Sequence, residues 1–418
     1  MKYDIAFLSL LIPVELEDEV KGKAPSLMEG AAIAYQNHII KGIEAENGGY
    51  VRLINVLPIR AFPSNYKDAY IRRSSFSHER GAKDINVGFC NIMLLKRLLQ
   101  KWPVYREVEK WASIEGNVPK VLIAYTLYPE FLQVIQKIKK RYPNITTISI
   151  VVDLPKLITS SKRKISFLSR MYQEWNTYQS MKSIYFIDGF SVVTKQMGER
   201  VCEKKPFIII EGISTQTFPI IENNCSEQVK VLYAGLLFEK FGVIKLLDAF
   251  SMIKDPVFQL IICGVGEAEE EIKERARKDD RICYLGNVKR EEVLRIMLSC
   301  NVIVNPRENV GEFTKYSFPS KNIEALSSGI PFIGYKLDGI PDEYDRYINF
   351  PENETIEALS NAIENVGKYN VTEARKKAAS AKEWVLSKKD YKTQGKKLIS
   401  LINQIAVNEY NGVIDEKK

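Results

Sequence analysis

Pro319, Ser320, Lys321 and Glu324 open an amphipathic run behind a polar loop, and Lys321 and Glu324 stand three apart, on one helical face. Ser320 suits the N-cap of that helix. A helix start with free N–H groups is a seat for phosphate, to which Lys321 adds a point charge. Glu324 has the chemistry to accept hydrogen bonds from ribose hydroxyls. A capped surface helix with an ordinary Lys–Glu pair shows the same residue types, so both readings stay open. Gly264-Val265-Gly266 is equally two-sided. It lacks the third glycine of a dinucleotide fingerprint, and it suits either a tight strand-to-helix turn or a loop close to a nucleotide. Asp153, before Pro155, is the best carboxylate of the first half for an acceptor hydroxyl, or a turn Asp. His38 and His78 are the only histidines, and neither has a clear Asp partner with a nucleophile nearby, which gives little support to a Ser-His-Asp mechanism.

Strands that end on loops must hold these residues. Tyr3–Ile12, Tyr50–Leu57, Val121–Tyr125, Ile145–Val152, Gly189–Val193 and Phe207–Glu211 are apolar runs, several continuous and β-branched, as in parallel strands buried on both faces. Helical patterns separate them, at Ala31–Glu46, Pro129–Arg141 and Phe167–Ile184. After a polar break at Glu222–Gln228 the rhythm restarts, with strands at Val229–Ala234, Phe258–Cys263, Ile282–Leu285, Val302–Val304 and Pro331–Gly334. Helices at Val243–Met252, Glu267–Lys278, Arg290–Ser299 and Lys321–Ser328 lie between them. The spacing predicts an α/β chain of two domains, 1–221 and 222–385, with a helical, Lys-rich run over Ala374–Ile405 whose end, from about 386 to 418, packs back on the first domain. Two open α/β sheets place ligands at the carboxyl ends of their strands.

At 418 residues, two domains are the sensible expectation. With 45% hydrophobic and 27% charged residues the chain is of globular type. The six cysteines are scattered, without a C-x-x-C pair, so neither a zinc site nor a disulfide framework is expected and a reducing compartment is. The apolar opening run reads as a buried strand rather than a signal peptide, since Asp4 cancels Lys2 and no cleavage site follows. The net charge of +8 suits nucleic acid, anionic lipid or a polyphosphate ligand without choosing among them. No aromatic stacking module or zinc knuckle is recognisable, which argues against RNA. Leu94–Trp111 and Lys162–Met181 interleave basic and apolar residues. The first is expected to break at Pro103, and either lies on a bilayer with Leu94, Leu95, Leu98, Leu99 and Trp102 inward, or is a core-facing helix with solvated cations.

The stretch from Phe318 to Tyr344 resembles the C-terminal domain of retaining glycosyltransferases of family 4, with the GT-B fold, and within it bacterial enzymes of capsular and exopolysaccharide assembly. Phe318-Pro319-Ser320-Lys321, Glu324, Ser328-Gly329, Pro331, Gly339-Ile340-Pro341 and Glu343-Tyr344 carry the likeness. Tyr233-Ala234-Gly235, Gly264-Val265-Gly266, Tyr284-Leu285-Gly286-Asn287-Val288 and Glu211-Gly212-Ile213 follow in the family's order. Three positions depart from it. Tyr316 stands where the first Glu of E-x7-E belongs, leaving Glu308 or Glu312 to substitute, and Leu236 replaces an Arg while the usual Lys is shifted by one, to Lys240.

The resemblance implies two Rossmann-like domains facing across a cleft and transfer of a hexose-type sugar, with retention, from a nucleoside diphosphate to a glycan acceptor, such as one linked to polyprenyl diphosphate. No metal or other cofactor is implied. Lys321 and Lys240 would hold the diphosphate and Glu324 the ribose, with Lys315 and Arg307 the next cations to test. Gly235, Gly264, Gly266, Val288, Ser320, Glu312 and Tyr316 would line the donor, and Asp153 and Tyr125 the acceptor side. The protein would be cytoplasmic, at the inner face of the membrane if the bilayer contact is real. A non-catalytic GT-B subunit binding a glycan or a partner transferase is the alternative. A sugar-nucleotide epimerase fits less well, with so few histidines.

Overall fold

The computed structural model describes residues 2–24, 30–154, 171, 175, 178, 182–202, 204–214, 218 and 228–415. Pro155 and most of both the expected helix Phe167–Ile184 and the basic stretch Lys162–Met181 lie outside them. The chain forms two compact units, Met1–Ile213 with Tyr391–Lys418, and Ser214–Asp390.

The first unit is built on β1 (Asp4–Ser9), β2 (Arg52–Asn55), β4 (Ser74–Phe76), β5 (Asp84–Asn86), β7 (Lys120–Tyr125), β8 (Thr146–Val151), β9 (Gly189–Val192) and β10 (Phe207–Ile209). They form one sheet in the order β10-β9-β8-β7-β1-β2-β5-β4, with only the β4–β5 pair antiparallel. β3 (Tyr70–Ile71) and β6 (Phe89–Cys90) make a separate antiparallel ribbon. Strands this short carry no periodicity to read, and the sequence gives no sign of β3 to β6. Side chains along β1, β7 and β8 are almost all buried, which explains the continuous apolar runs.

Helices α1 (Gly30–Asn47), α2 (Lys101–Ala112) and α3 (Pro129–Arg141) cover this sheet. Pro129 sits where a missing N–H costs nothing, and Lys139, Lys140 and Arg141 close α3 against its negative end. The break expected at Pro103 falls instead at Gln100, between a helix over Met93–Leu99 and α2. Pro103 lies in the first turn of α2, and the N–H it lacks would have met the carbonyl of Leu99, four residues back, so the proline interrupts the ladder just ahead of itself.

The second unit holds β11 (Val229–Ala234), β12 (Phe258–Cys263), β13 (Ile282–Gly286), β14 (Val302–Asn305) and β15 (Phe332–Gly334), all parallel, in the order β13-β12-β11-β14-β15. Its helices are α4 (Val243–Met252), α5 (Glu269–Lys278), α6 (Arg290–Leu298), α7 (Ser320–Ser328), α8 (Ile356–Glu364) and α9 (Val371–Lys388). Leu246, Leu247 and Phe250 of α4 enter one core with Phe258, Leu260 and Ile272.

The run read as one helix over Ala374–Ile405 is two, α9 and α10 (Tyr391–Asp415). The carbonyl of Lys389 accepts from the Ser214 N–H at 2.8 Å, which takes it out of the helical ladder. The same bond ties Ser214 to the second unit, so the division falls at Ser214 rather than at 222. α10 belongs to the first unit, where Gly42 of α1 and Gly395 of α10 bring two backbones together. A Cβ on Gly395 would stand 2.1 Å from the Gly42 carbonyl oxygen.

His78 does have an acidic partner, six residues on. Its Nδ1 meets Asp84 at 2.7 Å and its Nε2 meets Glu44 at 2.9 Å. Both ring nitrogens are committed, so neither can activate a nucleophile. Burial works against the imidazolium, but the two carboxylate hydrogen bonds outweigh it and raise the pKa to about 9. A raised folded-state pKa stabilises the protein fully below the unfolded value near 6.5 and loses that contribution as pH climbs through 9. Urea unfolding should therefore show roughly 3 kcal/mol less stability at strongly alkaline than at mildly acidic pH from this group. His78→Gln should flatten that slope; an unchanged slope would show that the clamp is not charged.

Candidate functional site

In the second sheet β11, β12 and β13 step one way and β14 returns to the other side of β11. The order therefore reverses between β11 and β14, and ligands of open α/β sheets bind at the carboxyl side of such a point. The glycines of interest lie there. Gly235 follows β11, Gly264 follows β12, and Gly286 ends β13. Their backbones extend the ladder, with Gly235 N–H to the Cys263 carbonyl at 2.8 Å and Gly264 N–H to that of Gly286 at 2.8 Å.

The loops touch at their glycines. A Cβ on Gly264, where φ is +142°, would stand 1.7 Å from the Gly235 carbonyl oxygen, and one on Gly266 would be 2.5 Å from that of Leu237. On Gly235 a Cβ would stand 1.7 Å from Lys321 Nζ. The Lys321 ammonium thus lies against the bare Cα of Gly235, 5.9 Å from the centre of the Tyr233 ring.

α7 is held where this requires. Asn322 of its first turn accepts a hydrogen bond from Asn305, the last residue of β14, at 2.8 Å. Pro319, not Ser320, is the N-cap, and it has no side-chain cap; Ser320 is the first helical residue, because Pro319 already has extended backbone there. The Asn322 N–H is taken by the Pro319 carbonyl at 2.9 Å. Phe318, Glu343 and Tyr344, all from the motif, act behind the helix. Tyr344 is fully buried, its ring 5.3 Å from Phe318 and 4.9 Å from Trp384. Glu343 pairs at 2.7 Å with the buried Lys389, where α9 ends.

Other candidates fall around this point. Glu324 pairs with Arg290 at the start of α6, 2.7 Å away, a residue the sequence reading passed over because only the fold brings it near. Lys240 lies in a short turn, its ammonium 5.7 and 5.2 Å from the ring centres of Phe238 and Phe241. Val288 is half-buried between β13 and α6. Glu312 and Tyr316 bound one turn after Gly311, whose φ is +83°. Arg307 is only 8% exposed and donates to Ser317 at 2.7 Å, its guanidinium 4.8 Å from the Phe313 ring centre, which builds it into the loop. Glu308 is bound by Lys245, a second cation the sequence reading missed, which also reaches the Glu354 carbonyl. These residues border a cavity of about 490 Å³ with Asp248 and Thr355. A further cavity of about 840 Å³, lined by Tyr347, Tyr369 and Lys376 among others, shares none of these groups. Glycine loops, the Lys321 cation and the start of α7 converge at the switch point.

The first sheet has its own switch point, between β1 and β7. Thr126, directly after β7, has φ of +59°, a strained setting for a β-branched residue and of the kind found at functional sites. Tyr125 before it is buried, its ring centre 6.4 Å from that of Tyr35. Asp153, after β8, is exposed.

Residues 215–384 match the family model for glycosyl transferases group 1. No curated protein matches by sequence. Among solved structures, sucrose-phosphate synthase from Thermosynechococcus elongatus is similar at a TM-score of 0.65 with 16% identity, over 97% of this chain and 100% of that one. HepE from Anabaena, solved with UDP, gives 0.58 with 13% identity over 96% and 100%. The lipopolysaccharide outer core galactosyltransferase WaaB gives 0.57 with 15% identity over 96% and 99%. The fold is GT-B.

Proposed function

We propose, from a GT-B fold whose second unit matches the group 1 glycosyl transferases, that this chain is a retaining glycosyltransferase. It moves a hexose-type sugar from a nucleoside diphosphate to a glycan acceptor, one carried on polyprenyl diphosphate at the inner face of a cell membrane, in surface polysaccharide assembly. The observation that carries this reading is the Lys321 ammonium seated on Gly235 at the switch point.

Charge grows on the departing diphosphate as the glycosidic bond breaks. Lys321 and the first N–H groups of α7, at Ser320, meet that charge where it develops, which is where preorganised groups contribute most. Lys240 is the second cation, and the loops at Gly235, Gly264, Gly266 and Val288 carry the nucleotide. Glu324, steadied by Arg290, takes the ribose. Glu312 and Tyr316 border the sugar. The leaving phosphate assists in deprotonating the acceptor hydroxyl, without a metal, and Asp153 and Tyr125 belong to the acceptor side. A catalytically silent subunit is the second reading, favoured by Leu236 and Tyr316 at the family's Arg and Glu positions.

HepE was solved with UDP and with UDP-glucose, so UDP is the first probe. At about 100 times its dissociation constant a ligand adds ~2.7 kcal/mol, a clear rise in melting temperature. UDP, GDP and dTDP should be compared, and absence of a rise with all three and their sugars would remove the proposed donor site. Release of the nucleoside diphosphate from the donor that binds separates an enzyme from a silent subunit, and NMR of the product anomer tests retention.

A further inference from the structure

An ordinary surface helix turns its leucines inward. At Leu95, Leu98 and Leu99 the first unit does the reverse. Leu95, Leu98, Leu99 and Trp102 follow the spacing i, i+3, i+4, i+7 of one helical face, and Gln100, where the ladder is interrupted, keeps helical dihedrals, so the stripe carries across the break from the Met93–Leu99 helix into α2. With Ile92 and Met93 these side chains are 42–61% exposed. The inward position is held by Gln100, which is buried and accepts from the Tyr128 hydroxyl at 2.8 Å. Further along α2 the core face is Val104, Val108 and Trp111. Leu95, Leu98 and Leu99 face solvent, while Gln100 fills the inward place.

The charge around the stripe is one-sided. From Ile92 to Arg106 the sequence has Lys96, Arg97, Lys101 and Arg106 and no acidic residue. Lys137 of α3 lies 3.5 Å from the centre of the Trp102 ring, and Lys101 5.8 Å from it. Trp beside cations is the side-chain set of the membrane interface, where an indole sits at headgroup level and lysines meet lipid phosphates. We propose that this stripe docks the chain on the surface of an anionic lipid bilayer, with Leu95, Leu98, Leu99 and Trp102 entering the headgroup boundary and Lys101 and Lys137 pairing with phosphates. Side chains over three helical turns expose on the order of a few hundred Å², short of the about 800 Å² per partner of a stable protein interface, whereas a bilayer supplies charge and apolar depth together. Among the described residues no helix is long and apolar enough to cross a membrane, so contact here is lateral. A lipid-linked acceptor gives such a surface a use, but donor binding by the second unit does not depend on it.

The test is co-sedimentation of the full chain with phosphatidylcholine vesicles with and without phosphatidylglycerol. Binding is expected only with the anionic lipid and should fall with salt. Leu98→Glu should weaken it about tenfold or more, with melting temperature unchanged because Leu98 is exposed, and Lys101→Gln about fivefold. Equal binding to neutral vesicles, insensitivity to Leu98→Glu, or a concentration-dependent dimer abolished by Leu98→Glu would each overturn the proposal. So would failure to bind vesicles by a protein that UDP still stabilises, and that result would leave the donor reading intact.

Discussion

Lys321→Ala is expected to lower kcat for sugar transfer by about 10²- to 10³-fold, the loss seen when one preorganised group is taken from developing charge. The size follows from placement. The ammonium rests where any other residue at 235 would put its Cβ, so its position is set by a gap in the neighbouring loop rather than by solvent. α7 cannot drift, since Asn305 holds Asn322 and the buried Tyr344 supports Phe318. The loss should fall mainly on kcat, because charge on the diphosphate is greatest as the bond breaks. Lys321→Arg should rescue poorly, as a planar guanidinium is wider than the space over Gly235. Lys240→Ala should cost less, its ammonium lying over two rings of its own short turn. Lys321 is exposed, so the melting temperature without ligand should not move, while the rise produced by UDP should vanish. Full activity in Lys321→Ala would show that the diphosphate is held elsewhere.

How much of this was legible beforehand depends on the distance over which each feature is encoded. Strands buried on both faces, such as β7 and β12, announce themselves through continuous apolar runs. The glycines at 235, 264 and 266 and the Pro319 helix start are local signals and stood out. Arg290 beside Glu324, and Lys245 beside Glu308 and Glu354, join residues from separate loops, and no spacing rule connects them. The Glu343-Tyr344 motif was visible as a pattern, but its use in holding Lys389 and packing on Trp384 appears only once α9 lies alongside. The reversed stripe at Leu95–Trp102 was seen as amphipathic, while its direction depended on Gln100 taking the inward place. Pro103 marks a break that falls three residues earlier, at Gln100, because the N–H a proline lacks is the one that would reach the carbonyl of Leu99.

Gly264→Ala should be the most damaging single methyl group in the second unit. Two costs combine at this position. A φ of +142° is one that side chains rarely adopt, and the new Cβ would stand 1.7 Å from the Gly235 carbonyl oxygen, with the Gly235 carbonyl carbon at 2.8 Å. Neither wall is a flexible side chain. Gly235 is fixed by its bond to Cys263, and Gly264 by its own to Gly286 and by the Tyr284 hydroxyl at 3.0 Å. Strain and overpacking together predict a loss of about 2–4 kcal/mol in urea unfolding. Gly286→Ala separates the two causes. Its φ is +68°, yet nothing lies within 4 Å of the added Cβ, so it should lose only the conformational part, about 1–2 kcal/mol. Relief of the Gly264 clash must push the Gly235 loop aside, and that loop is the floor under Lys321. Gly264→Ala should therefore also lose the stabilisation by UDP, as far as it folds, while Gly286→Ala largely keeps it. Equal and mild losses in the two variants would mean that the loops after β11 and β12 do not touch, and the seat of Lys321 would have to be drawn again.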